Sequence, residues 1–143
     1  ISIVLCLITI ISGSFVSATD AGKSYNTFPL MNGELIPEGY IIYDNIFTNF
    51  FENTIAIQFN HRWIAILTFF WITVTALYIL SKKINLTQKI VCYTIIFLIT
   101  MQVIFGILTL INNVPIYLAS IHQATATLLY CSLLTSLYLF SNK

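Results

Sequence analysis

The segment from Ile90 to Asn142, IVCYTIIFLITMQVIFGILTLINNVPIYLASIHQATATLLYCSLLTSLYLFSN, contains no Asp, Glu, Lys or Arg. As one helix it would be about 80 Å long, against a bilayer core of about 30 Å. It must therefore turn back once, and Asn112-Asn113-Val114-Pro115 is the strong turn signal inside it. Two apolar spans result, about 90–111 and 116–140.

Toward the N-terminus the same pattern repeats. A third apolar run covers about 54–81, with Asn53 placed to cap a helix and Lys82-Lys83 to end it. A fourth covers about 1–19 and carries no charge. A cleaved signal peptide is the alternative for that run, because VSA precedes Thr19, but no basic segment or Met stands before the apolar stretch. The absent Met leads to the expectation that the sequence is a piece of a longer protein. Between these runs, residues 20–52 form a polar and aromatic connection punctuated by Pro29, Gly33, Pro37 and Gly39. Its Ile41–Phe51 stretch suits a short helix resting among lipid headgroups.

Composition points the same way. Of the 143 residues 58% are hydrophobic and 8% charged, with a mean hydropathy of +0.90. Too few charges remain to cover a water-exposed surface, so soluble, disordered and nucleic-acid-binding proteins are excluded and the lipid bilayer is the expected surroundings. The net charge of +1 carries little, whereas its distribution sets an orientation. Asp20, Glu34, Glu38, Asp44 and Glu52 face a single Lys23 in the 20–52 connection, while Lys82, Lys83 and Lys89 crowd the 82–89 connection and Lys143 closes the chain. By the positive-inside rule the lysines and the C-terminus lie on the cytoplasmic or matrix side, and 20–52 forms the outer loop. Cys6, Cys92 and Cys131 fall in three different spans, which reads as unpaired buried thiols.

The two histidines, His61 and His122, both fall inside spans, where an ionisable side chain is costly and marks a functional site by default. With the second and fourth spans both descending from the outer face, each histidine lies about 10 Å below it. Two level imidazoles on separate helices suit a flat iron macrocycle held from both faces. Zinc suits them poorly, since a tetrahedral site wants three or four ligands and the spans offer no carboxylate. Ala65 and Thr68 near His61, and Ala119, Ser120, Thr125 and Ala126 near His122, leave room for a ring, although small residues also serve close helix packing. The alternative for both histidines is hydrogen-bonded packing. Arg62 either pairs with a heme propionate or snorkels to the headgroups. Gln102 and Gln123 either orient a ligand or join helices, and Gly13 and Gly106 let the two histidine-free spans approach their neighbours or the ring.

In order along the chain, SGSFVSATDAGKSYNTFPLMNGELIP, FENTIAIQFNHRWIA, MQVIFGILTL and VPIYLASIHQATATLL resemble the C-terminal half of the heme A synthase family of cytochrome oxidase assembly enzymes. The resemblance covers nearly the whole chain. It implies an all-α integral membrane protein, an antiparallel four-transmembrane-helix bundle that is half of an eight-helix pseudo-twofold protein. It implies an oxidoreductase that converts the C8 methyl of heme O to the formyl of heme A, with heme O as substrate. In this half it implies a b-type heme, with His61 in NHRW and His122 in IHQA as the axial iron ligands. Heme O synthase is the implied assembly partner, a homo-oligomer is compatible, and the membrane is the bacterial cell membrane or the mitochondrial inner membrane. Two features depart from the family. Asp20 in TDAG stands where the other half carries an acidic residue in a TESG-like motif, and it reads here as a loop or helix-end carboxylate. Ser14 and Ser17 replace expected glycine or alanine. Because bis-histidine ligation leaves the iron no open position, this half alone is expected to transfer electrons and to be catalytically silent. Two other readings stay open: a stand-alone bis-histidine membrane cytochrome, and a transporter or assembly subunit without heme.

Overall fold

A computed structural model describes residues 1–141. Lys143, one of the residues used to orient the chain, lies outside that range. The described residues form helices α1 (Ser2–Ala18), α2 (Ile46–Phe51), α3 (Thr54–Leu80), α4 (Leu86–Ile111) and α5 (Ile116–Ser141), with a single 3-10 turn at Ala21–Lys23. Three of these, α3, α4 and α5, are long and apolar enough to cross a membrane. At 17 residues α1 is shorter, about 26 Å by helical rise.

The helix ends follow local chemistry. Asn53 starts α3 by accepting from the amides of Ile55 and Ala56, and its own amide donates to the carbonyls of Gly39 and Tyr40. The start of α4 departs from expectation. It begins at Leu86 rather than near residue 90, because Asn85 and Gln88 form a reciprocal capping box. Lys89 therefore belongs to the first turn of α4, not to a connection. The Asn112–Pro115 turn is where it was expected, with Asn113 and Val114 both in the left-handed region at φ 61° and 57°.

Residues 19–53 are tied down rather than free. The expected 41–51 helix is only Ile46–Phe51, because Asn49 accepts from the amides of Ile42 and Tyr43 and donates to the carbonyls of Tyr43 and Asn45, which holds 41–45 in a non-helical path. Asp20 follows the end of α1 at φ 55° and pairs with Lys23 at 2.7 Å, both exposed. That agrees with a helix-end carboxylate.

Helix α1 packs on α3 and on α5, α3 on α4, and α4 on α5, with the α1–α5 contact the sparsest of the four. Cys6, Ile72, Ile95, Ile99, Leu129 and Leu133 form one core to which α1, α3, α4 and α5 all contribute. Outside it, large apolar side chains such as Val74, Tyr78 and Phe97 are exposed. This is how a helix surface looks when lipid is its solvent. The three cysteines are free, and Cys131 is exposed rather than buried as expected, because it faces outward from α5.

Candidate functional site: two histidines laid on glycines

His61 is seven residues into α3 and His122 six into α5, about 10 Å from the start of each helix. Each imidazole lies against a glycine of the neighbouring helix. A Cβ at Gly13 of α1 would stand 3.1 Å from Cε1 of His61, and a Cβ at Gly106 of α4 would stand 3.0 Å from Cε1 of His122. Few real contacts are that close, so at both positions glycine is what admits the ring. The α1–α3 and α4–α5 pairs thus repeat one device: a histidine on the second helix seated on a glycine of the first.

Polar neighbours differ between the two seats. Nδ1 of His61 is 2.8 Å from the hydroxyl of Ser12, a residue with no sequence signal of its own. Nε2 of His122 is 3.4 Å from the amide nitrogen of Gln102, while its Nδ1 is buried without a partner. A buried ring nitrogen left bare typically costs about 1–3 kcal/mol unless something else engages it. Among the described residues no three of His, Cys, Asp and Glu converge.

Other expected residues fall elsewhere. Arg62 turns to the connection, donating from its two terminal nitrogens to the carbonyls of Thr27, at 2.8 Å, and Tyr25, at 2.9 Å, while its Nε is buried and unpartnered. Gln58, one turn earlier and buried, donates to the carbonyls of Gly22 and Tyr25. Asn26 reaches across to the carbonyl of Leu110 at the end of α4. The segment 22–27 is thereby strapped over the ends of α3 and α4. Gln123 is exposed and away from this cluster, whereas Thr68 is buried and joins α3 to α1 through Thr9 at 2.8 Å.

The arrangement is that of a helical membrane protein with one histidine on each of two long apolar helices. The model of the cytochrome oxidase assembly protein family matches residues 1–134, and the chain belongs to that family. It is 40% identical over 129 residues to the heme A synthase of Bartonella tribocorum, covering 90% of this chain and 36% of that protein. It is 39% identical over 132 residues to the heme A synthase of Wolbachia pipientis wMel, covering 92% and 36%, and 36% identical over 132 residues to that of Nitrosomonas eutropha, covering 91% and 36%. The chain thus spans a little over a third of the length of these relatives, at 36%. No solved structure matches it.

Proposed function

We propose that this chain is the heme-binding portion of a heme A synthase, with His61 and His122 as the two axial ligands of a b-type heme. The whole protein would oxidise the C8 methyl of heme O to a formyl group for cytochrome oxidase assembly. The observation that carries the reading is the repeated seat, in which each histidine rests on a glycine of its partner helix. The residues present suit the group. His61 Nε2 makes no hydrogen bond among the described residues, and the lone pair of His122 Nε2 meets only the amide nitrogen of Gln102, at 3.4 Å, a long contact that a metal would replace. Heme, when bound, supplies one-electron chemistry, and the chain supplies ligands, orientation and a low-dielectric setting.

The remaining residues divide the work of positioning. Gly13 and Gly106 set how closely each imidazole approaches its neighbouring helix. Arg62 fixes the strap and retains its buried Nε–H as a donor for a propionate. In this proposal α1, α3, α4 and α5 are the four spans of an antiparallel bundle, half of a pseudo-twofold protein. Residues 20–52 lie outside, and the Lys82–Lys83 turn lies on the cytoplasmic or matrix side. Heme O synthase is the proposed assembly partner. The names of the relatives favour the synthase over a stand-alone cytochrome or a heme-free transporter. Reduced-minus-oxidised spectra of the purified protein test the reading. A low-spin b-type band is expected, and its absence from protein produced with ample heme overturns it.

A further inference from the structure

A hydroxyl carries one hydrogen. That of Ser12 is given to the carbonyl of Thr9 at 2.9 Å, one turn back on α1. The same oxygen lies 2.8 Å from Nδ1 of His61, and with its hydrogen on Thr9 it faces the ring as an acceptor. In that arrangement Nδ1 holds the imidazole proton and Nε2 keeps the free lone pair. We propose that Ser12 is a positioning residue that locks His61 in the Nδ1–H tautomer and so presents Nε2 to iron. The inference deepens the proposed function and rests on its assignment of His61 as a ligand.

Two adjacent residues of α1 therefore act on one ring. Gly13 sets how near the imidazole comes, since a Cβ there would stand 3.1 Å from Cε1, and Ser12 sets its protonation and rotation. The neighbouring polar contact follows the same logic. Thr9 is placed in the same way, its hydroxyl 2.8 Å from the carbonyl of Leu5 and 2.8 Å from the hydroxyl of Thr68 across the same helix pair. At His122 the polar contact falls on the other nitrogen, with the Gln102 amide nitrogen, which can only donate, 3.4 Å from Nε2. Its glycine seat is present, but it meets an amide rather than a hydroxyl, and the far nitrogen has no partner. The two axial positions are thus unequal, with His61 the pre-organised one. A hydrogen bond from Nδ1–H also raises the basicity of the opposite nitrogen, which favours the ferric state.

The test uses heme-loaded protein bearing Ser12→Ala, Ser12→Thr or His61→Ala. Heme retention is read from the spectra, and the midpoint potential from a redox titration followed optically. Ser12→Ala is expected to weaken heme retention by about ten- to a hundredfold, the usual range for losing such a partner. It is also expected to move the potential positive, and Ser12→Thr, which keeps the hydroxyl, is expected to restore both. Loss of the heme band in His61→Ala combined with parental retention and potential in Ser12→Ala overturns the role of Ser12 alone. So does a Ser12→Ala defect that Ser12→Thr fails to rescue. Retention of an unaltered low-spin band in His61→Ala overturns the ligand assignment itself, and the role of Ser12 with it.

Discussion

Gly106 and His122 are in contact so close that a methyl group on the glycine would crowd the ring: a Cβ would stand 3.0 Å from Cε1, and the ring would have to give by a few tenths of an ångström. In an open helix interior, Gly→Ala stabilises by about 0.5–1 kcal/mol. Here the added methyl must displace the imidazole. Gly106→Ala is therefore expected to lower heme retention despite its better helix propensity, and Gly106→Leu to abolish it. Spectra of membranes matched for protein content measure both.

The histidines themselves should separate cleanly from a nearby control. His61→Ala and His122→Ala are each expected to remove the low-spin band. Cys131→Ala, an exposed position on the same helix as His122, should leave it unchanged. Equal retention in all three variants would defeat the ligand assignment.

Arg62 donates to two carbonyls of the strap, those of Thr27 and Tyr25. Lysine offers a point charge rather than a planar fork and cannot keep both bonds in that geometry. Arg62→Lys is expected to speed amide hydrogen exchange in residues 22–30, and Arg62→Ala to speed it further. Exchange in the middle of α4 should not move.

Asn53 does two jobs, capping α3 with its oxygen and holding Gly39 and Tyr40 with its nitrogen. Asn53→Asp keeps the first and loses the second, whereas Asn53→Ala loses both. A cap is worth about 0.5–2 kcal/mol, and a buried unsatisfied carbonyl costs about 1–3 kcal/mol. Thermal unfolding in detergent should rank them as parent, then Asp, then Ala, and an Asp variant as unstable as Ala would show that the cap contributes little.

Those contrasts also show what the sequence makes legible. Apolar runs bounded by Asn53, by the Lys82–Lys83 pair and by Asn112–Pro115 mark the helices, because length against bilayer thickness and turn chemistry are local properties. The early start of α4 was written in Asn85 and Gln88, but the lysines around them masked it as a connection. Which face of each helix turns inward was harder to see, since a helix apolar all round has no polar stripe to orient it. The histidines announced themselves by being ionisable inside apolar runs, and Gly13 and Gly106 by being small. Ser12 gave no signal, because its role exists only across the α1–α3 contact. Arg62 was legible as a cation near the outer surface, but its partners, two main-chain carbonyls, carry no residue-type signature.

The carbonyl of Tyr25 accepts from both Gln58 and Arg62, which sit one turn apart on α3 with His61 between them, and Asn26 anchors the same segment to α4. The knot of this tether is tied beside the imidazole. A pull on the long connection is delivered first to the coil of α3 that bears His61.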